Sequence, residues 1–349
     1  MHLNPFLFMD DLCVCELKGM HIIMKKCLVT GATGHIGAAL VRKLIKEGYS
    51  VKALVLEGDN PEALEGLDID VIFGNICSYT DVAEAITDVS IVYHLAGMIG
   101  IYVGQKKILS RVNVDGVKNI IRACLFTGMK KLVYVSSVHA IAELPKEKTI
   151  VETLDFDPGK VHGNYAKTKC EATRLVLEAC KRGLNATVVH PSGCIGPYEY
   201  NLTNMGRLIK DYITRKLPAY IDGAYDFVDV RDVADGIFLA GQKGKTGECY
   251  ILSGERVTIA QLMEYMEDIS KIPKPRLKIP GFIAKIFAPF AEMHYRIHNR
   301  VPLFTIYSVA TLHSNCNFSN KKAVRYLGYR SRPIRDTLRD TVDWLKKRG

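Results

Sequence analysis

The sequence predicts an α/β protein built on a doubly wound parallel sheet, with a smaller, mostly helical region added toward the C-terminus. Two observations carry this. Short apolar runs alternate with segments of helical periodicity between Lys26 and His190, the signature of parallel strands joined by crossover helices. A glycine-rich turn also stands between the first such strand and the first helix, where a dinucleotide-binding fold of the Rossmann type needs it.

Residues 27–30 (Cys-Leu-Val-Thr) form a short buried strand, and 36–47 read as a helix because Ile36, Leu40 and Leu44 recur at helical spacing. Gly48 stops that helix, and 51–56 follow as the second strand. Residues 70–73 are the third strand, 81–86 a helix and 91–95 the fourth strand. Next come a helix over 113–127, a strand over 131–136, a helix over 165–182 and a strand over 186–190. After Pro191 the alternation loosens into loops rich in Pro, Gly and Tyr. Residues 227–230 and 248–252 read as returning strands, and 259–269 and 320–347 as largely helical. The expected organisation is an extension over 1–23, a dinucleotide-binding domain over 24–190 with returning strands in 227–252, and a substrate-binding region from 191–226 and 253–349.

Composition narrows the class. A hydrophobic fraction of 48% with 24% charged residues is that of an ordinary globular protein. Residues 1–23 hold apolar Phe6, Leu7 and Phe8 but also Asp10, Asp11 and Glu16, which suits neither a signal peptide nor a membrane span. The 47 Lys and Arg against 37 Asp and Glu give a net charge of +10. Part of the excess lies between Lys321 and Arg348. A nucleic-acid surface would need those charges gathered on one face with aromatic platforms between them; the simpler reading is a solvated helix face in a protein that binds an anionic cofactor. The ten cysteines show no C-x-x-C spacing and no zinc-ligand spacing with His. No metal site, no structural disulfide and a reducing cytoplasm are the expectation.

The turn itself is Thr30-Gly31-Ala32-Thr33-Gly34-His35-Ile36-Gly37. Its glycines let the backbone approach a pyrophosphate, which the free N–H groups and positive dipole end of the following helix attract. Tyr165 and Lys169 stand four apart on the helix over 165–182, hence on one face. A tyrosine with an ordinary pKa of about 10 needs a neighbouring cation to act as a general acid/base near neutrality.

With Gly74-Asn75-Ile76, His94-Leu95-Ala96-Gly97, Tyr134-Val135-Ser136-Ser137, Tyr165-Ala166-Lys167-Thr168-Lys169 and Asp226-Phe227-Val228-Asp229-Val230 added to that turn, the chain resembles the extended short-chain dehydrogenase/reductase family. The resemblance runs from Met24 to the C-terminus and lies nearest the dihydroflavonol reductase and 3β-hydroxysteroid dehydrogenase branch. It implies Ser137, Tyr165, Lys169 and Asn113 as the catalytic group: Tyr165 moves the proton, Ser137 fixes the substrate oxygen, and Asn113 holds a water linked to Lys169. It implies a cofactor site of Gly31, Thr33, Gly34, His35, Ile36, Gly37, Asn75, Ile76, Leu95, Ala96, Gly97, Tyr165, Lys169, Pro191 and Cys194. Asn75 stands where the family usually has an Asp that binds the adenine amine, and an Asn carbonyl accepts the same bond. His139 and His162 flank the site and read as loop residues; Cys194 is not a nucleophile in this reading.

The family's NAD users place an acid at the end of the second strand and its NADP users an Arg. Val55 and Leu56 occupy those positions, so both are absent. Glu57 follows and disfavours a phosphate by charge, so NAD is the expected cofactor, with NADP left open. Sugar-nucleotide enzymes of the family carry an Arg before the late Asp-Phe/Tyr pair, where it grips a diphosphate bidentately; Tyr225 stands there instead. The run from Ile279 to Phe290 and the segment 300–304 are apolar but broken by Pro, too short to span a bilayer. With the basic flank Lys271, Lys274, Arg276 and Lys278, they leave core, substrate lid and peripheral membrane contact open. These observations point to an alcohol–ketone oxidoreductase for a bulky apolar small molecule. The alternatives are a nucleotide-sugar epimerase or dehydratase and, in another class, a non-catalytic dinucleotide sensor, which binds cofactor without turnover. A homodimer is the related enzymes' habit.

Overall fold

The computed structural model describes residues 12–17, 20–100, 106–286 and 306–348. The stretches 1–11, 287–290 and 300–304, on which part of the sequence reading rests, lie outside the described residues.

Strand β1 (Leu12–Leu17) pairs antiparallel with the first half of β2 (Met20–Thr30). Helix α1 (His35–Lys46) follows, then β3 (Ser50–Val55), β4 (Asp70–Phe73), α2 (Tyr79–Ile86) and β5 (Ile91–His94). Helix α3 (Lys106–Ser110) runs through a π-turn (Arg111–Asp115) into α4 (Gly116–Thr127), followed by β6 (Lys131–Val135), α5 (Asn164–Cys180) and β7 (Ala186–Pro191). The chain continues through β8 (Gly193–Ile195), α6 (Asn204–Ile213), β9 (Ala219–Ile221), β10 (Ala224–Asp229), α7 (Val230–Lys243), β11 (Cys249–Leu252), β12 (Glu255–Thr258), α8 (Ile259–Ser270) and β13 (Leu277–Ile279). Three further helices, Ile306–Thr311, Lys321–Leu327 and Ile334–Lys347, complete the described chain.

Seven parallel strands make the central sheet in the order β11-β7-β6-β5-β2-β3-β4. Successive residues alternate between its two faces. Leu28, Val92, Leu132, Tyr134 and Val188 pack against α2, α4 and α5. Cys27, Val29, Tyr93, Val133 and Val189 pack against α1 and α7. Both faces of the inner strands are covered, so these strands read as largely apolar runs, whereas the edge strand β4 is mostly exposed. The sheet is the doubly wound Rossmann type that the sequence predicts, and the C-terminal region is mostly helical.

One element differs from the sequence reading, and one adds to it. The strand around Phe227 does not return to the large sheet: β10 pairs with β8 and β12 in a separate three-stranded sheet, and only β11 extends the parallel order. Part of the 1–23 stretch is structured as the β1–β2 hairpin. A third apolar cluster, with Leu208, Tyr212, Tyr225, Phe227, Leu262, Met266, Leu338 and Val342, forms the core of the smaller region. Among the described residues, no helix is long and apolar enough to cross a membrane.

Candidate active site

The carboxyl ends of β2, β5 and β6 converge on one edge of the sheet. Gly31 has φ +72, and a Cβ there would stand 2.7 Å from the backbone nitrogen of Ala96. At Gly37 a Cβ would come within 2.0 Å of the Gly31 carbonyl oxygen. Only glycine fits either position, so the turn lies tight against the loop after β5. Gly34 begins α1 with no side-chain cap, which leaves first-turn N–H groups free for an anion. This cradle fits a dinucleotide pyrophosphate.

Thr33 Oγ1 donates to Asp59 Oδ2 at 3.1 Å, and His35 Nε2 lies 3.0 Å from the Pro197 carbonyl. The amides of Leu95 and Ala96 donate to Thr30, to its carbonyl and its hydroxyl respectively. Asn75 Oδ1 accepts from the amide of Cys77 at 2.9 Å, while Ile76 is buried. Pro191 ends β7, and Cys194, on β8, is a half-buried thiol pushed up to about 12 by burial.

Ser137, Tyr165 and Lys169 meet where β6 ends beside α5. Ser137 leaves the strand and caps the short 3-10 turn Val138–Ala140, its hydroxyl accepting from the His139 amide at 3.2 Å. Gly163 precedes α5 with φ +89, and Tyr165 and Lys169 lie one turn apart on it. Burial pushes the Tyr165 hydroxyl up to about 12, with a hydrogen bond to Ser137 acting in the opposite direction. Lys169 is 5% exposed. Its ammonium donates to the Val135 carbonyl at 2.9 Å, lies 5.2 Å from the Tyr134 ring centre, and is pushed down to about 8 by burial. Desolvation therefore dominates both groups, where the sequence suggests a tyrosine lowered by its lysine.

Asn113 takes its place from the π-turn, which aims its side chain inward at 1% exposure. Its amide donates to the Met98 carbonyl (2.9 Å) and to Thr168 Oγ1 (3.0 Å), and its oxygen accepts from the Met98 amide (2.7 Å). A Cβ on Gly97 would lie 3.2 Å from Asn113 Oδ1 and 3.3 Å from Lys169 Nζ. Asn113 thus ties the loop after β5 to α5.

His139, read from sequence as a loop residue, is the centre of an aromatic cluster. Its Nε2 lies 3.0 Å from the Tyr225 hydroxyl, and its ring stacks on Tyr225 at 5.9 Å. It also meets Tyr165 edge-on at 6.2 Å and Tyr307 at 5.7 Å. Burial pushes its imidazole down to about 4. The sequence signal was the apolar Tyr225 in place of an arginine; its partner lies 86 positions away and has no local mark. His162, by contrast, only lines one cavity.

Two cavities open on either side of this cluster, and both are walled by His139, Tyr225, Tyr307 and Thr311. One, of about 480 Å³, reaches Tyr165, Val161 and Phe318. The other, of about 500 Å³, is lined by Ile99, Leu202, Met205, Leu208, Phe227 and Ile259, among others, and by Gly193 beside Cys194.

Comparison with known proteins agrees with this geometry. Residues 27–253 match the family model described as the NAD dependent epimerase/dehydratase family. Sterol demethylase protein B of Methylococcus capsulatus is 32% identical over 92% of this chain and 98% of its own length. A putative dihydroflavonol 4-reductase of Synechocystis sp. is 32% identical over 94% and 97%. The crystal structure of gox2253 superposes with a TM-score of 0.81 at 31% identity, covering 93% of this chain and 99% of that one. The glycine turn, the parallel sheet and the matched sequence lead to one conclusion: the chain belongs to the NAD dependent epimerase/dehydratase family, in its extended short-chain dehydrogenase/reductase branch.

Proposed function

We propose that the protein interconverts a secondary alcohol and a ketone on a bulky, mostly apolar substrate of steroid, terpenoid or flavonoid-like class, with Tyr165 as the general acid/base. The observation that carries this reading is the mainly apolar cavity of about 500 Å³ beside Gly193, where Tyr225 stands in the position of the family's diphosphate-gripping arginine. The Leu, Ile, Met and Phe side chains of this cavity favour an apolar body, while Asn201, Thr203, Asn204 and Arg207 at its wall can receive a few polar groups. The names of the relatives, a sterol demethylase protein and a putative dihydroflavonol 4-reductase, support the same substrate class.

In this reading the turn Gly31–Gly37, with Asn75, Ile76, Leu95, Ala96, Gly97, Pro191 and Cys194, holds the dinucleotide. When bound, the nicotinamide supplies or takes up the hydride. Tyr165, kept protonated by burial, donates its phenolic proton to the substrate oxygen in reduction and recovers one from solvent. In oxidation the proton runs the other way. Ser137 hydrogen-bonds the same oxygen and fixes its distance from Tyr165. The Lys169 charge stabilises the phenolate left after proton donation. Asn113 acts by positioning, since its side chain clamps Met98 and Thr168.

The test is nicotinamide absorbance on purified protein with NAD(H), across steroid, terpenoid, flavonoid and sugar-nucleotide substrates. Net turnover of an apolar alcohol or ketone, lost in Tyr165→Phe while cofactor binding persists, is the expected result. Isomerisation of a sugar nucleotide without net redox change would assign the epimerase chemistry instead. Cofactor binding with no turnover and no effect of Tyr165→Phe would make the protein a dinucleotide sensor.

A further inference from the structure

We infer that Asp59 is the residue that selects the dinucleotide, taking the adenosine ribose hydroxyls from a position outside the family's usual one and excluding a 2′-phosphate. The inference rests on the dinucleotide reading of the glycine turn. Strand β3 ends at Val55, which is buried, and the next residue, Leu56, is exposed; neither side chain can hydrogen-bond a ribose. The chain then folds back. Asp59 N donates to the Leu56 carbonyl at 3.0 Å, and Gly58 adopts φ +89, which the tight reversal requires. The reversal brings the Asp59 carboxylate 3.1 Å from the hydroxyl of Thr33, in the middle of the turn Gly31–Gly37. Among the described residues no cation pairs with that carboxylate, so acceptor capacity remains for two ribose hydroxyls.

Charge around this edge points the same way. Between Leu56 and Asp70 the sequence holds Glu57, Asp59, Glu62, Glu65, Asp68 and Asp70 and not one Lys or Arg, in a chain of net charge +10. The cations nearest on α1 are engaged elsewhere. Arg42 donates to the carbonyls of Ala38 and Ala63 and to the Tyr200 hydroxyl, and its guanidinium lies 4.7 Å from the Tyr198 ring centre. Lys43 pairs with Glu47 and Asp235, and His35 is held at Pro197. Arg348, which does reach this edge, is paired with Glu62, so a 2′-phosphate beside Asp59 would meet a mainly acidic edge.

The experiment is equilibrium binding of NAD+ and NADP+ to the full chain by calorimetry, for the wild type, Asp59→Asn and Asp59→Ala. Asparagine keeps the shape and the bond from Thr33 but removes the charge; alanine removes both. The wild type is expected to bind NAD+ at least about 30-fold more tightly than NADP+, and Asp59→Asn to shrink that ratio about tenfold, chiefly by weakening NAD+. A ratio unchanged in Asp59→Asn, with both dinucleotides weakened equally in Asp59→Ala, would reduce Asp59 to a loop closure and overturn the inference. A wild type that prefers NADP+ would overturn it while leaving the dinucleotide fold intact. A wild type that binds neither would refute the dinucleotide reading itself, and this inference with it.

Discussion

Replacing Lys169 by methionine should make the protein more stable at neutral pH while removing its activity. The ammonium is wholly enclosed, and burial lowers it from 10.5 to about 8. At ~1.4 kcal/mol per pH unit, holding that charge costs the folded state on the order of 3 kcal/mol at pH 7. Methionine matches the stem in length and is apolar, but it leaves the Val135 carbonyl without its donor, a loss of about 1 kcal/mol. The net gain is therefore ~2 kcal/mol. Its pH dependence identifies the cause. Between about pH 8 and 10.5 the unfolded lysine keeps a proton that the folded one has released, so wild-type stability rises with pH across that window. Above it the methionine advantage vanishes, leaving a deficit of about the lost hydrogen bond. The Tyr165 titration, which lies higher in the folded state, is common to both proteins and cancels in the difference. Urea denaturation of both at about pH 7 and about pH 10.5 reads the effect. A variant less stable at pH 7, or a difference that does not change with pH, would refute the account of Lys169 as a charge held against desolvation.

Three buried imidazoles, His94, His139 and His190, lie at about 3, 4 and 4 when folded against 6.5 otherwise, so the unfolded state binds more protons below pH 6.5. Stability should then be complete above pH 6.5 and fall toward pH 4, partly offset by Asp226, which burial raises to about 6; His190→Gln should flatten the fall in urea midpoint. Asn113→Leu strands both backbone groups of Met98 and should cost ~3 kcal/mol in denaturant unfolding, together with cofactor affinity. His139→Phe keeps the ring but loses the Tyr225 partner, and should raise the substrate KM about tenfold with the NAD Kd unmoved. Gly37→Ala forces a methyl onto the Gly31 carbonyl and should abolish NAD binding by calorimetry, at a stability cost of ~2 kcal/mol or more.

The dinucleotide half of the molecule was legible because its signals are local. Central strands such as β6 are buried along their whole length and so are apolar over most of it, here from Leu132 to Val135, and the glycine turn compresses its constraint into Gly31 to Gly37. The same locality explains what was not legible. Strand β10 has the same alternating apolar character whether it joins the large sheet or pairs with β8 and β12, and only the tertiary arrangement decides. Asn113 was found as a candidate, yet its clamp on Met98 depends on a π-turn that no periodicity announces. The His139–Tyr225 contact and the Thr33–Asp59 bond join residues far apart in sequence, and neither partner is unusual alone.

The glycine that opens α5 has a further consequence. A Cβ on Gly163 would stand 3.0 Å from the Tyr307 ring, so the helix Ile306–Thr311 rests on the very residue that precedes α5 and its Tyr165. Tyr307 walls both cavities. If the proposed chemistry holds, reaction and selectivity meet at one joint, with the reacting groups on the sheet-borne part and a cavity wall from the tail. A descendant could take a differently shaped molecule by rewriting the tail alone, provided the hinge point kept a residue without a side chain.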